Sequence, residues 1–186
     1  MTIWIDIKPG DIGFTKGGGF VGWVIRHGTG SAYAHSFVYH KLLSRAANGA
    51  ETWETVEAWP SLKSQKDGVR VRVRTEQPEK VVRTWVTRNE QAAILIHSAS
   101  MIGTRYGWGE IARIMLHFLG IKVRGWESSS RAICSNHCTQ SVLAGRPALK
   151  VLFKYRPSMT WPGELASTCD AIDWAQDRIR DRKHRG

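Results

Sequence analysis

The chain of 186 residues has few cysteines, no long apolar run and few acidic side chains. Three Cys is an odd and low number, which argues against a secreted disulfide framework. No stretch reaches the ~18 consecutive apolar residues typical of a transmembrane helix. The opening residues, MTIWIDIKPGD, lack the basic region and apolar stretch of a Sec signal peptide. We therefore expect synthesis in the cytoplasm. If the protein acts outside the cell, another apparatus, such as that of a phage, must deliver or release it.

Positive charge is what the sequence has in excess. The 27 Lys and Arg against 16 Asp and Glu give a formal charge of +11. Such a chain is attracted to anionic partners, including a cell-wall polymer, a membrane surface or a nucleic acid, and the charge does not choose among them. We recognise no nucleic-acid-binding motif, and nothing indicates an oligomeric state. Apolar residues make up 42%, enough for a core in one domain or in one domain with a tail.

Strand patterns come first along the chain and helix patterns follow, which predicts an α+β domain. We expect a small antiparallel sheet or partial barrel packed against helices. Asn48-Gly49 is a strong hairpin signal between two of the strands, and Thr87-Arg88-Asn89-Glu90 fits a capping box at the start of a helix. The predicted strands are Ile12–Phe14, Ala34–His40, Thr52–Ala58 and Val69–Arg74; the predicted helices are Phe20–Arg26, Arg88–Ile102, Trp108–Leu119 and Ile133–Ala144.

Two finer predictions concern a strand and the C-terminus. Val and Arg alternate over Val69–Arg74, and we expect the valines to face the core and the arginines to form a basic stripe on the outside. Thr160-Trp161-Pro162 is expected to open a short turn of helix. We assign residues 1–170 to one domain and residues 171–186 to a basic C-terminal helix or tail.

Cys134 lies where the polar loop Glu127–Arg131 gives way to a predicted helix. The first turn of a helix presents unpaired N–H groups and partial positive charge, which favour a thiolate and can hold an oxyanion. A cysteine nucleophile needs a base, and His35 enters a predicted strand from a loop. Glu57, on the strand expected beside it, is the candidate to orient that base; Glu51 and Glu54 are weaker alternatives.

A zinc site is the competing interpretation of the same segment. Cys134, His137 and Cys138 offer three potential ligands, but they come from one helical turn. Structural zinc sites use four ligands, usually from two separate segments. We therefore expect neither a metal nor another cofactor.

Taken in order, these segments resemble the circularly permuted branch of the NlpC/P60 superfamily, especially its YiiX-like group. The order His, acid, Cys is the order that permutation produces. The resemblance spans roughly residues 10–165, and it departs from the family at Gly107 and Asn136, where acidic residues are common. The matching segments are Gly10-Asp11-Ile12, Tyr33-Ala34-His35-Ser36, Val56-Glu57-Ala58, Gly68-Val69, Gly103-Thr104-Arg105-Tyr106 and Cys134-Ser135.

The resemblance implies a papain-like fold and a cysteine hydrolase. Cys134 would be the nucleophile, His35 the base and Glu57 the residue that orients it. Tyr33, Tyr106 and Ser135 would line the substrate site.

Three functions remain open at this point. The first is an amidase or peptidase that acts on peptidoglycan or a related peptide through an acyl-enzyme. The second is a lipid-directed thioesterase or acyltransferase, since Cys134 to His137 loosely resembles the Asn-Cys-Glu-His motif of the lecithin:retinol acyltransferase group. The third is a non-enzymatic basic binding module, which the nine Trp would also suit.

Overall fold

A computed structural model describes residues 6–60, 67–118, 120–121, 131–154, 157 and 160–184. The first five residues and most of the predicted loop before Cys134 lie outside this set. The strands are β1 (Ile12–Thr15), β2 (His35–Arg45), β3 (Glu51–Trp59), β4 (Gly68–Arg74), β5 (Lys80–Val82), β6 (Arg105–Tyr106) and β7 (Arg131–Ala132). The helices are α1 (Gly19–Thr29), α2 (Arg88–Ser100), α3 (Trp108–Phe118), α4 (Cys134–Gly145) and α5 (Pro162–His184), with a 3₁₀ helix at Pro147–Leu152.

Five strands form one antiparallel sheet in the order β4-β3-β2-β1-β5, and β6 and β7 form a separate parallel pair. The predicted α+β class is confirmed. β2 and β3 form the expected hairpin, and Gly49 in its turn has a φ of 84°, which glycine tolerates best. Ile12, Phe14 and Val38 on one face of the sheet are buried with Cys138 and Val142 of α4.

The opposite face of the sheet carries a second, aromatic cluster. Phe37, Tyr39 and Trp53 are buried together there, with ring centroids 5.2 Å apart in each neighbouring pair. Residues two apart on a strand share a face, so His35 lies on the side of Phe37. The register pairs Val38 with Val56, which sets Glu57 on that side as well. The sheet therefore brings the predicted base and acid to one face.

The predicted orientation of β4 is wrong beyond its first residues. Val69 is buried, but Val71 and Val73 are 44% and 60% exposed. Arg72 and Arg74 instead turn toward buried Glu57 on β3. A buried carboxylate requires a counter-charge, and this requirement outweighs the burial of two valines on an edge strand.

The helices that hold the site begin close to the predicted residues. Thr87 caps α2 with a complete capping box, as predicted, since its side chain accepts from the N–H of Glu90 and the Glu90 carboxylate accepts from the N–H of Thr87. α4 begins at Cys134, one residue after the predicted start. It packs against α2 and against β2 and β3, which fixes its first turn near the start of β2.

α5 begins at Pro162, where a short turn was predicted, but it continues for 23 residues to His184. The predicted domain boundary at residue 170 falls inside this helix. Cys169 and Ile172, on either side of the boundary, are both buried in the main core. No helix in the described part of the chain combines the length and apolar character needed to cross a membrane.

Candidate active site

Cys134 is the first residue of α4 and is 3% exposed. Its Sγ lies 3.9 Å from the carbonyl oxygen of Ala34, the residue before β2. The backbone N–H groups of Ser36 and Ser135 also lower the pKa of this thiol. The start of a 12-residue helix and two amide donors therefore surround the thiol with partial positive charge, as the sequence predicted.

His35 and Cys134 each shift the pKa of the other. Burial opposes a thiolate, but the hydrogen bond and charge of His35 outweigh it, so the pKa of Cys134 lies below its ordinary value. Burial likewise favours a neutral imidazole, but hydrogen bonds to Cys134 and Glu57 raise the pKa of His35 to about 9. Each group stabilises the ionised form of the other, which favours a thiolate–imidazolium pair at neutral pH.

Glu57 orients the imidazole. Its Oε2 lies 2.5 Å from Nε2 of His35, which leaves Nδ1 as the ring nitrogen for Cys134. The edge of the His35 ring meets Trp59, with 5.2 Å between centroids. Burial raises the pKa of Glu57, but the hydrogen bonds and charges of His35 and Arg74 lower it to about 2. The carboxylate is therefore ionised whenever the histidine works, and it fixes which nitrogen carries the proton.

Two arginines of β4 complete the site, and sequence reasoning missed their role. Nε and Nη2 of Arg74 lie 3.1 and 2.7 Å from Oε1 and Oε2 of Glu57, a two-point contact. Arg72 Nε is 3.8 Å from Oε1. Both guanidinium groups also lie over aromatic rings. That of Arg72 is 4.1 Å from the ring centroid of Trp59, and that of Arg74 is 4.2 Å from the ring centroid of Phe37. The signal was present, since a Glu amid Val, Ala and Trp needs a cation on the facing strand.

Tyr106, which the resemblance assigns to the substrate site, lies near Cys134. It is buried in one cluster with Cys134, Ile133 and Val69. Burial and the charge of Cys134 raise the pKa of Tyr106 well above its ordinary value, so its hydroxyl stays protonated. Trp108 meets the Tyr106 ring edge-on, with 5.2 Å between centroids.

Ser135 and Tyr33 are placed differently from each other. The Ser135 side chain is buried, and its hydroxyl donates to the carbonyl of Thr160 at 2.6 Å. Only its backbone N–H points at the sulfur of Cys134. The Tyr33 ring packs 5.5 Å from Phe14 and lines a different pocket, together with Lys80.

Gly107, where the resembling family often carries an acidic residue, has no room for a side chain. A side chain at this position would overlap the carboxylate of Glu110, in the first turn of α3. Glu110 is buried, and its Oε2 has no hydrogen-bond partner within the described residues. A carboxylate thus occupies the space in which an acidic residue at 107 would project.

A narrow apolar pocket, with space of only about 10 Å³, adjoins Cys134. Residues of α1, α3 and the start of α5 enclose it. Cys134 forms part of its wall, so a group held in this pocket lies next to the sulfur. The other lining residues are Ile25, Thr29, Ile111, Ile133, Ser135, Trp161 and Pro162.

His137 takes no part in the Cys134 pair. Its Nε2 lies 3.1 Å from the hydroxyl of Ser98 on α2, and burial lowers its pKa to about 4. The described residues contain no group of three or more His, Cys, Asp and Glu arranged to hold a metal ion. In the segment from Cys134 to Cys138, the histidine is therefore hydrogen-bonded to Ser98. The two thiols differ in pKa, because burial raises the pKa of Cys138 whereas that of Cys134 is lowered.

Comparison with known proteins leaves the site to be interpreted on its geometry, because no protein-family model and no curated protein matches this chain.

Proposed function

We propose that this protein is a cysteine hydrolase with a papain-like, circularly permuted NlpC/P60 fold. The observation that carries the proposal is the buried relay Cys134–His35–Glu57. A nucleophile at a helix start, a base at a strand start and an orienting carboxylate on the next strand have the roles and contacts that acyl transfer by a thiol needs. The order of the three residues along the chain supports the permuted arrangement.

In the first half-reaction the Cys134 thiolate attacks the acyl carbon and a C–S bond forms. The oxyanion that develops lies by the start of α4, whose first-turn N–H groups stabilise it. As the intermediate collapses, the bond to the leaving group breaks, and imidazolium His35 transfers its Nδ1 proton to that group. Glu57 keeps its hydrogen bond to Nε2 throughout, so the ring stays oriented while its charge changes.

The second half-reaction releases the acyl group. Neutral His35 takes a proton from water as the water oxygen attacks the thioester carbon. The C–S bond breaks, the acid leaves and the thiolate–imidazolium pair is restored. Another nucleophile in place of water would make the same cycle an acyl transfer.

For the substrate, we propose an amide bond in peptidoglycan or a related peptide, for which the charge of +11 suits an anionic polymer. A second candidate, a lipid-directed thioesterase or acyltransferase, is favoured by one observation. The wall beside Cys134 is apolar, with Ile25, Ile111 and Trp161 in it, which is the lining that an acyl chain requires. The space between these residues is about 10 Å³, so they must move apart to admit such a chain.

Thiol labelling across pH tests the enzyme proposal. Iodoacetamide should alkylate Cys134 selectively well below pH 8, with mass spectrometry to identify the modified residue. Cys138 and Cys169 are internal controls, since both are fully buried. The fast reaction should disappear in His35→Ala. Equal, slow labelling of all three cysteines would instead favour the non-enzymatic binding module.

Substrate classes are separated by turnover. Peptidoglycan fragments, phospholipid vesicles and acyl thioesters are incubated with wild type and with Cys134→Ser. Release of new amino groups from the fragments, absent in Cys134→Ser, supports the amidase. Turnover of the lipid or thioester alone supports the second candidate.

A further inference from the structure

Two arginines lie side by side on the small parallel ladder beside the active site. Arg105 of β6 and Arg131 of β7 are register partners, and both are exposed. Partners in a parallel pair share a face, and neighbouring strands are about 4.8 Å apart. Two guanidinium groups therefore extend from adjacent positions of one surface.

Their charge is not compensated within the described part of the chain. Neither side chain has an ion pair or hydrogen bond there. The arginines of β4, by contrast, are paired with Glu57. Like charges on neighbouring strands destabilise a ladder, so an anion held between Arg105 and Arg131 would relieve their repulsion.

These arginines line an open pocket of about 550 Å³. Tyr106 and Trp108 form its aromatic wall, and among the described residues Asp67 is the one carboxylate in its lining. Two arginines and one aspartate leave this described part of the lining net positive. A carboxylate or a phosphate accepts two parallel hydrogen bonds from a guanidinium, which suits this arrangement.

The pocket lies close to the nucleophile. Arg131 precedes Cys134 by three residues, and Ala132 and Ile133 between them are extended. Three extended residues span at most about 10 Å. Tyr106 lies between the pocket and Cys134, since it lines the pocket and is buried in one cluster with Cys134.

We propose that Arg105 and Arg131 form an anion subsite of the active site, which binds a carboxylate or phosphate of the substrate near Cys134. The inference rests on the proposed function, because it takes Cys134 as the attacking group. It narrows the substrate to an acyl compound that also carries an anionic group.

Three alkylating probes with one reactive group test the subsite. N-iodoacetyl-6-aminohexanoate carries a carboxylate at the end of a flexible alkyl chain, its terminal amide is the neutral match, and a phosphate-ended analogue of equal length separates the two anions. The anionic probes should alkylate Cys134 about 10-fold faster than the neutral one, an advantage that added salt reduces. Arg105→Gln/Arg131→Gln should abolish the advantage without slowing the neutral probe.

A matched double variant controls for overall charge. Arg88→Gln/Lys150→Gln removes two exposed charges outside the pocket and should keep the full advantage. The subsite is refuted if wild type shows no preference for charge, or if the control variant loses as much preference as Arg105→Gln/Arg131→Gln. If the neutral probe labels Cys134 no faster than Cys138, the proposed function fails instead.

A binding measurement that does not involve Cys134 tests the subsite even if the proposed function fails. Titration of the whole chain with N-acetyl-6-aminohexanoate, and separately with inorganic phosphate, should shift the indole N–H resonance of Trp108 saturably. The shift should vanish in Arg105→Gln/Arg131→Gln. A shift that persists in that variant, or none in wild type, overturns the subsite.

Discussion

At the scale of single residues, Glu57 is the group on which the site depends. It is buried and touches His35, Arg72 and Arg74. Its interaction with His35 stabilises the imidazolium, and the imidazolium in turn stabilises the thiolate of Cys134. A change at Glu57 should therefore alter the titration of the nucleophile without touching it.

Glu57→Gln should shift the pH dependence of Cys134 alkylation. An amide keeps a hydrogen bond to His35 but removes the negative charge, so the pKa of His35 falls below about 9 and that of Cys134 rises. The acid limb of the alkylation rate should consequently move to higher pH, as measured with iodoacetamide in a series of buffers.

Glu51→Gln is the matched control for this variant. Glu51 lies on the same strand, six residues before Glu57, and it also pairs with an arginine, Arg45. It should leave the acid limb in place. Identical profiles for Glu57→Gln and wild type would contradict a role for Glu57 in the nucleophile's titration.

At the scale of elements, local signals predicted much of what the structure contains. The Asn48-Gly49 turn and the Thr87 capping box are set by neighbouring residues, and both are confirmed. Alternation along β4 gave the period of a strand and the burial of Val69, but not the turn of Arg72 and Arg74 toward Glu57. That turn depends on Glu57 of β3, so it could be inferred only from the two strands together and not from β4 alone.

Isosteric substitutions on β4 check this orientation. Val69→Thr buries a hydroxyl at a site that is 3% exposed and should cost about 1–3 kcal/mol of unfolding free energy. Val73→Thr, on the exposed part of the strand, should change stability by less than about 0.5 kcal/mol. Urea unfolding of both variants measures the difference, and equal losses would indicate that Val73 packs in the core.

At the scale of the whole molecule, α5 ties the C-terminal segment to the core. The charged residues after position 176 suggested a tail, because charge near a terminus is typical of poorly ordered chain. Buried Ile172 shows that the helix contributes to the main cluster beyond residue 170. Sequence composition averages over a segment, whereas one apolar side chain on the correct face is enough to anchor a helix.

Ile172→Ala should therefore destabilise the whole fold. Removal of a buried isoleucine side chain typically costs about 2–5 kcal/mol. Ile96→Ala, also within a helix but 69% exposed, is the matched control and should have little effect. Thermal unfolding followed by circular dichroism compares the two; similar melting temperatures would place residues beyond 170 outside the cooperative unit.

Stability should also fall as the solution becomes acidic, and His137 should account for a large part of the loss. Burial holds the folded-state pKa of His137 at about 4, against an ordinary value of 6.5. The unfolded chain therefore binds a proton between these values that the folded chain does not, so stability is lost as pH falls from 6.5 toward 4. The loss amounts to about 3 kcal/mol, since one pKa unit corresponds to about 1.4 kcal/mol.

His137→Gln separates this contribution from the others. Glutamine can still pair with Ser98 but does not titrate, so the variant should show a flatter dependence of unfolding free energy on pH between 6.5 and 4. Some slope remains, because burial lowers the pKa of His40 in the same direction, and Glu57 adds a further loss only below pH 4.5. NMR titration of the His137 ring in wild type gives the direct measurement. A titration midpoint near 6.5, or equal pH dependence of unfolding free energy in the two proteins, would show that protonation of His137 does not destabilise the fold.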